Sequence, residues 1–443
     1  MAEIRAAVIN SAQDVAGRNI RRHLEDLLRR RESAGERREG RGISFGLHEV
    51  EGRLIHADGI DREIPSDLII FISRHASREP APVLTVHVTG NLAGGELGGR
   101  PRSLPPACSP WMQAILRGLR ARAPPGYAVS YEVTHHGPTE LATPSFFVEI
   151  GSSPAEWADP GAGRAVAESI LAARPGNPVS LIGFGGNHYA ARQTEIGVTS
   201  RGAFGHIAHS RQVPGLDGEM VVLMRDRSRA VAAYIDRKAL PPREVSRLDG
   251  ILAGIGLPVL SEGEILSLGE MDWPSWLAAR SLAGSVHPAA RLHPHMVTTM
   301  GKPVLVSLEP SLVTEALRPD EGPLAAGMDR LPVIHLSGGG KGVLPSFITD
   351  EKDRDTVIHG LINLCVKLII ERENAAVEGD RLILRRSRFD PGKARELGVP
   401  EGPLFGRLQA GEEISLGGRV ITPDMVRTAR VTELHIPGLE LYL

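Results

Sequence analysis

Residues 68–73 read LIIFIS, an apolar run that decides the fold class of the chain. A strand this apolar is typical of a sheet that is buried on both faces. Similar runs recur at 83–88 (VLTVHV), 127–133, 146–150 (FFVEI) and 179–184 (VSLIGF). Because helical patterns at 111–121 and 163–173 lie between these runs, the sequence predicts an α/β fold with a mixed or largely parallel sheet flanked by helices.

This alternating pattern stops near residues 258–285, where Gly, Pro and Trp interrupt the chain. We therefore expect a first domain over residues 1–262 and a second over residues 263–443. The second region predicts a strand at 304–308, a long helix at 353–373 and a hairpin around Glu378-Gly379-Asp380. These elements indicate a smaller α+β domain.

The composition excludes several classes of protein. The 51 cations and 53 anions leave a net charge of −2, so the chain is not a polycation that binds nucleic acid with its whole surface. Its two cysteines, Cys108 and Cys365, are too few and too far apart for a disulfide framework or a CxxC zinc site. Because no apolar run reaches the roughly 18 residues of a membrane span, we expect a cytoplasmic protein.

The histidines suggest where chemistry takes place, because several follow predicted strands, where α/β proteins bind ligands. In LTVHVTGN, the period of two places His87, Thr89 and Asn91 on one strand face. This pattern predicts a polar site, although a lone histidine on a strand is often a hydrogen-bonded core residue. His75, after the LIIFIS strand, is a further candidate at the rim of the site.

The segment YEVTHHGPT carries the sharpest pattern. Alternation places Glu132, Thr134 and His136 on one face and His135 on the other, so the two histidines are not expected to bind one ion unless the backbone bends. Glu132 and His136 are candidates for a general base or for metal ligands. The alternative is a buried hydrogen bond between them.

Glu149, inside a buried strand, needs a cation, a metal or backbone N–H groups as its partner.

The segment GFGGNHY follows a strand and offers Gly185, Gly186 and Asn187 ahead of His188. Backbone N–H groups of such a turn can bind a phosphate or an oxyanion, whereas the alternative is a simple tight turn. The segment matches neither GxGxxG nor a P-loop. No GxSxG and no HExxH occurs in the chain, which disfavours common serine hydrolases and zincins.

Seven blocks at these positions closely resemble the archaeal and plant type of D-aminoacyl-tRNA deacylase. They are FISRHAS, LTVHVTGN, Leu97-Gly98-Gly99, THHGPTEL, PSFFVEIGSSPAEW, GFGGNHYAAR and GHI, in the order of the family and within about residues 1–260. The resemblance implies hydrolysis of the ester between a D-amino acid, or glycine, and the 3′-terminal ribose of tRNA. It also implies an association with zinc and a fold like those of peptidyl-tRNA hydrolase and nucleoside phosphorylases.

This resemblance is not expected to extend over the last 180 or so residues. There, residues 389–411 (FDPGKARELGVPEGPLFGRLQAG) are similar to a segment of the tRNA 3′-processing endonucleases. The HxHxDH metal motif of those enzymes is absent, since His293-Pro294-His295 lacks the following Asp and His. Nuclease activity is therefore not implied. The hypothesis is a contact with the tRNA end, and the alternative is a small packing domain.

Together, the residues and the resemblance predict a D-aminoacyl-tRNA deacylase whose partners are the aminoacylated 3′ end of tRNA and the D-amino acid. The expected catalytic residues are His136 with Glu132 and the neighbouring His135. The expected zinc ligands are His87, His188 and Glu149. The expected substrate contacts are Thr89, Asn91, Gly185, Gly186 and Asn187. The alternatives are another hydrolase or phosphorylase of the same fold, and a noncatalytic tRNA-binding protein.

Overall fold

The computed structural model describes residues 3–33, 42–77, 80–338 and 341–442. The chain forms two compact units, residues 1–268 and residues 269–443. The expected α/β class with mixed and parallel sheets is confirmed. Among the described residues, the helices are all too short or too polar to cross a membrane.

The first sheet of the first unit has six strands in the order β2-β1-β3-β6-β4-β5. Its strands are β1 (Ile4–Ser11), β2 (Ile43–Val50), β3 (Leu68–Arg74), β4 (Val83–His87), β5 (Ala128–Tyr131) and β6 (Ser145–Gly151). Neighbouring strands are parallel except for β4 and β6. Both β3 and β6 are almost wholly buried, as the apolar runs predict.

A second sheet in the same unit has four parallel strands in the order β10-β9-β7-β8. These strands are β7 (Val179–Phe184), β8 (Gly202–Ala208), β9 (Ala232–Ile235) and β10 (Val259–Leu260). The helices are α1 (Val15–Ser33), α2 (Ile60–Glu63), α3 (Ser109–Arg122), α4 (Pro154–Ala158), α5 (Pro160–Ala172), α6 (Ala191–Thr199), α7 (Gly218–Ser228), α8 (Pro242–Gly254) and α9 (Glu262–Leu266). Ser153 and Glu156 form a capping box at the start of α4, which turns the chain directly after β6.

The second unit contains α10 (Trp273–Val286), β11 (Arg291–His295), β12 (Pro303–Ser307), α11 (Pro310–Ala316), α12 (Gly322–Met328), β13 (Val333–Gly338), β14 (Lys341–Asp350) and α13 (Arg354–Arg372). It continues with β15 (Ala375–Glu378), β16 (Arg381–Phe389), α14 (Pro391–Glu396), α15 (Pro403–Gln409), β17 (Ile414–Leu416), β18 (Arg419–Ile421) and β19 (Arg427–His435). The sheets run β11-β13-β14-β12, β15-β16-β19 and β17-β18. All of their pairings are antiparallel, which is the expected α+β pattern.

Two predicted strands end earlier than expected. The strand of LTVHVTGN ends at His87, and the strand of YEVTHHGPT ends at Tyr131. The predicted alternation of side chains beyond these two residues is therefore wrong. The irregular segments that follow the two strands carry most of the candidate site.

Candidate functional site

Glu132 lies at the centre of a group of buried histidines. It directly follows β5, and its side chain is fully buried. His75 Nδ1 lies 3.0 Å from its Oε1, and His87 Nδ1 lies 3.1 Å from its Oε2. Nε2 of His135 and Nε2 of His188 each lie 3.6 Å from Oε2. A buried carboxylate is costly without partners, and these nitrogen atoms stabilise it. We call these residues, with His136 and Glu149, the Glu132 cluster.

The first sheet places the second carboxylate beside Glu132. The register of β3 and β6 pairs Ser73 with Glu149, and that of β4 and β6 pairs His87 with Phe147. Glu149 accepts a hydrogen bond from the Ser73 hydroxyl and lies 3.7 Å from His75 Nδ1. The site therefore combines one face of β3, β6 and β4 with residues at the ends of β3, β4 and β5, the kind of position at which the sequence indicated a site.

A bend in the backbone brings both adjacent histidines to the cluster. His136 has a φ of 47°, in the left-handed region, so the chain turns at the point where a strand was expected. His135 Nδ1 donates to the carbonyl of Val133 at 2.8 Å, and His136 Nδ1 donates to that of Gly137 at 2.7 Å. Because a neutral imidazole carries one proton, both Nε2 atoms keep a free lone pair. His136 Nε2 lies 3.3 Å from His87 Nε2.

The two glutamates experience opposite electrostatic environments. Burial opposes the ionisation of Glu132, but the nearby imidazoles, His87 first, outweigh it and hold the pKa of Glu132 well below its usual value. Burial raises the pKa of Glu149, and the negative charge of Glu132 adds to this effect. Glu132 is therefore ionised, and Glu149 has the greater affinity for a proton.

The histidines of the cluster also differ in charge. Burial opposes the protonation of His75, but hydrogen bonds to Glu132 and Glu149 raise its pKa to about 11. Burial lowers the pKa of His87 well below its usual value, that of His136 to about 3 and that of His188 to about 4. The protonated His75 therefore pairs with the Glu132 anion, whereas His87, His136 and His188 are neutral, and neutral imidazole is the form that binds metal ions.

Three groups in this cluster have ligand atoms within 4.8 Å of one another: His87-His135-His136, His75-Glu132-His188 and His87-Glu132-Glu149. In the described parts of the chain, His87 Nδ1 and both oxygens of Glu132 are buried without a hydrogen bond of good geometry. Such convergent buried atoms fit a metal ion, and imidazole with carboxylate is a ligand set that zinc accepts. The three groups mix the expected metal ligands with the expected catalytic residues.

Three other polar residues of these segments turn away from the cluster. Thr134 contacts His206 Nδ1 at 3.2 Å rather than sharing a face with Glu132, which corrects the predicted alternation. Thr89 donates to the carbonyl of Pro138 at 2.7 Å, and Asn91 donates to that of Gly98 at 2.8 Å. Thr89 and Asn91 therefore hold neighbouring loops, and their contact with substrate stays a prediction.

The GFGG turn positions a histidine rather than offering free amides. The Gly185 amide donates to the carbonyl of Ala208, and the Gly186 amide donates to the hydroxyl of Ser210, each at 2.9 Å. The expectation that these two N–H groups face an oxyanion is corrected accordingly. The His188 carbonyl accepts from the Val133 amide at 3.0 Å, which ties the turn to the Glu132 cluster. Asn187 and Gly186 line a neighbouring surface pocket, and their contact with substrate also stays a prediction.

A cavity of 450 Å³ opens beside the cluster. Its polar lining includes Arg53, Arg74, His75, His135, His136, Glu149 and His188. Its apolar lining includes Leu54, Ile55, Leu97 and Phe147. The sequence pointed to His75 only as a rim residue and missed Ser73 and Phe147. Ser73 lies two residues from Phe71 on one face of β3, and Phe147 lies two residues from Glu149 on one face of β6. This spacing of two was the available signal in the sequence.

An α/β unit with buried carboxylates and imidazoles beside a cavity is typical of a hydrolase, and these residues could hold a metal ion. The family model for D-aminoacyl-tRNA deacylase matches residues 62–260. Proteins named D-aminoacyl-tRNA deacylase from Methanoculleus marisnigri and Methanoregula boonei are 51% and 52% identical to the chain. Each alignment covers 99% of this chain and 100% of the relative. The chain belongs to the D-aminoacyl-tRNA deacylase family.

These relatives also correct the expected extent of the resemblance, because their alignments include the second unit. The crystal structure of a conserved protein of unknown function is similar to part of the chain, with 32% sequence identity and a TM-score of 0.54. That similarity covers 60% of this chain and 98% of the solved one. The alignments with the two full-length relatives cover 99% of this chain, so these relatives share the second unit.

Proposed function

We propose that the chain hydrolyses the ester of D-aminoacyl-tRNA in the cavity beside the Glu132 cluster, releasing tRNA and a free D-amino acid. The observation that carries this proposal is the cavity itself, whose lining brings Glu149 together with four histidines of the cluster. Membership of the deacylase family supports the reaction and the substrate. A cytoplasmic location, where tRNA is charged, fits this role.

Three imidazoles of the cluster are suited to hold zinc. His135 and His136 direct their Nδ1 protons to backbone carbonyls, and His87 Nδ1 faces Glu132. Acceptors behind the ring in this way orient metal-binding histidines and leave Nε2 as the ligand. Zinc bound there would supply Lewis-acid polarisation of the ester carbonyl. This assignment moves His135 and His136 from the catalytic set to the ligand set.

The roles of the two glutamates follow from their surroundings. Glu149 reaches the cavity and has a raised pKa, so it is the better general base for a water molecule that attacks the ester carbon. The proton taken up by Glu149 would then pass to the departing ribose oxygen. Glu132 is ionised and lies away from the cavity lining, so it holds His87 and His75 in position.

The cavity also offers groups that suit the rest of the substrate. Arg53 and Arg74 lie at its lining, where a guanidinium can bind a phosphate of the tRNA end in bidentate fashion. Arg74 is fixed above the ring of Trp157 at 5.2 Å. The apolar side chains Leu97 and Phe147 are candidates for excluding an L side chain by steric contact.

The proposal is tested by comparing the release of D-tyrosine and of L-tyrosine from charged tRNA by the full, zinc-supplemented chain. We expect release of the D form to exceed that of the L form. Equal release of both forms would indicate a general esterase. Salt-dependent tRNA binding without release would indicate a noncatalytic tRNA-binding protein.

A further inference from the structure

A second cavity, of 470 Å³, lies next to the 450 Å³ cavity beside the Glu132 cluster, which we now call the reaction cavity. Asn187 lines the second cavity, and the following residue, His188, lines the reaction cavity. Most residues of the second lining follow the ends of β7, β8 and β9, so we call it the sheet-edge cavity. Because consecutive residues line the two cavities, one strand of RNA can occupy both.

The order of the parallel strands explains why a cavity forms at this edge. The chain runs from β7 to β8 on one side of β7 and then returns to β9 on the other side. Helices α7 and α8 pack on the sheet face that carries Ile182, whereas Gln193 of α6 packs against Gly183 on the opposite face. Where the connections of neighbouring parallel strands diverge in this way, α/β proteins commonly bind ligands at the carboxyl ends.

The sheet-edge cavity offers groups that suit a phosphate. Its lining includes the exposed side chains of Arg192 and Arg211. Arg192 contacts Glu262 at 3.4 Å, whereas the guanidinium of Arg211 has no ion-pair partner within the described parts of the chain. His209 Nδ1 accepts from the Arg211 amide at 2.9 Å, so Nε2 carries the proton of this ring and can donate it. Guanidinium groups bind phosphate oxygens in bidentate fashion.

A buried carboxylate in the same cavity suits a base rather than a phosphate. Asp236 is 9% exposed and belongs to the lining. Its Oδ1 accepts from the Lys238 amide at 3.3 Å, whereas its Oδ2 has no hydrogen bond with any residue that the structure describes. A carboxylate so deeply buried needs a donor. The exocyclic amino group of cytosine is a donor that Asp and Glu recognise, whereas uracil presents an acceptor oxygen at the same position.

We propose that the sheet-edge cavity binds the cytidine nucleotide that precedes the terminal adenosine of tRNA. The proposal rests on the proposed function, because the tRNA 3′ end reads CCA and its adenosine carries the ester. Arg192 and Arg211 bind the phosphate of this cytidine, and Asp236 accepts from the amino group of its base. The adenosine with its ester then lies in the reaction cavity. Affinity gained at the cytidine is the same for every tRNA, whichever amino acid it carries.

The test compares the binding of the trinucleotides CpCpA and UpUpA to full-length chains by isothermal titration calorimetry. We expect the wild type to bind CpCpA about 10-fold more tightly than UpUpA. Asp236→Asn should abolish this preference, because an amide can donate to the uracil oxygen. Arg211→Ala should weaken the binding of both trinucleotides by about 10-fold. Arg164→Ala is the matched control, because it removes a guanidinium of the same unit that pairs with Glu168 in α5, and it should bind as the wild type does.

Turnover separates this proposal from the proposed function. The ester 3′-O-(D-tyrosyl)adenosine lacks the preceding cytidine, so Arg211→Ala should lower kcat/KM for D-tyrosyl-tRNA about 10-fold more than kcat/KM for this small ester. If neither ester is hydrolysed but CpCpA binding responds to the variants as expected, the proposed function fails and the cytidine site stands. Equal affinity of the wild type for CpCpA and UpUpA, or equal CpCpA binding by Arg211→Ala and Arg164→Ala, would overturn the cytidine site.

Discussion

Glu132 and Glu149 have different proposed roles because their neighbouring residues differ. Glu132 is surrounded by imidazoles and stays ionised, whereas Glu149 lies beside a serine hydroxyl and a second carboxylate and retains a proton more readily. Environments that separate the pKa values of two groups in this way are typical of acid–base sites. Sequence spacing placed both residues in buried segments, but it assigned the base to Glu132 with His136, since spacing carries no information on which oxygen reaches a cavity.

We predict that Glu149→Gln lowers kcat for D-aminoacyl-tRNA by about 10²- to 10⁴-fold, the usual contribution of a general base. The bound zinc and KM should change little, because the amide keeps the shape of the side chain. Glu132→Gln should instead weaken zinc binding by about 10- to 100-fold through the loss of an orienting carboxylate. Steady-state kinetics together with metal analysis separates the two effects. Normal turnover by Glu149→Gln would return the role of the base to His136.

His206 links the folding stability of the first unit to pH. The ring lies between Thr134 Oγ1 at 3.2 Å and the carbonyl of Pro105 at 3.0 Å, and burial lowers its pKa from 6.5 to about 4. In the unfolded chain the ring binds a proton near pH 6.5, whereas in the folded chain it does so only near pH 4. Its contribution to stability is therefore complete above pH 6.5 and is lost as the pH falls toward 4.

We predict that the free energy of unfolding falls by roughly 3 kcal/mol through this group over that interval. Urea unfolding at a series of pH values measures the slope in the wild type and in His206→Gln. The variant is expected to be less stable at neutral pH but to show a shallower dependence on pH. Parallel slopes in the two chains would contradict the assignment of the proton uptake to His206.

At the scale of elements, the buried strands were the predictable part of the fold and the loops after them were not. The runs at 68–73 and 179–184 agree with β3 and β7, because an unbroken apolar run of this length is typical of a strand that is buried on both faces. The chain leaves the strand after Tyr131 because its partners are distant in sequence: the Thr134 amide donates to the carbonyl of Ile207, and the Gly137 amide donates to that of Leu97. Local periodicity cannot predict hydrogen bonds to residues so distant in sequence. These hydrogen bonds turn the chain so that both His135 and His136 reach the cluster.

Thr85 in β4 and Thr89 just after it provide a matched test of the hydrogen bond that joins the loops after β4 and β5. Thr89 donates a buried hydrogen bond to the carbonyl of Pro138, whereas Oγ1 of Thr85 is buried without a partner among the described residues. Thr89→Val should cost about 1 to 3 kcal/mol of unfolding free energy, because it leaves a buried carbonyl unpaired. Thr85→Val should be neutral or stabilising. Chemical denaturation measures both, and an equal destabilisation of the two variants would show that the Thr89 hydrogen bond is not what holds the loop.

For the whole molecule, a net charge of −2 means that affinity for tRNA must come from local groups rather than from the overall charge. Exposed arginines of the second unit are candidates for such groups. Arg430 of β19 lies opposite Arg386 of β16, and Arg388 lies two residues further along β16, so Arg388 and Arg430 share a face of the sheet. Both side chains are exposed. Arg388 and Arg430 are therefore candidates for the tRNA contact predicted for residues 263–443. This contact stays a proposal.

We predict that Arg388→Ala/Arg430→Ala weakens tRNA binding and lowers the slope of log K against log salt by about 1 for each phosphate that the variant no longer neutralises. Turnover at saturating substrate should be unchanged, since the Glu132 cluster belongs to the first unit. Arg381→Ala is the control, because Arg381 lies on the opposite face of β16 and pairs with Glu433 at 3.2 Å. Because the slope counts displaced ions rather than affinity, it separates the removal of a phosphate-binding group from a general disruption of the fold. An unchanged slope in the double variant, with binding equal to that of the control, would leave this sheet as packing alone.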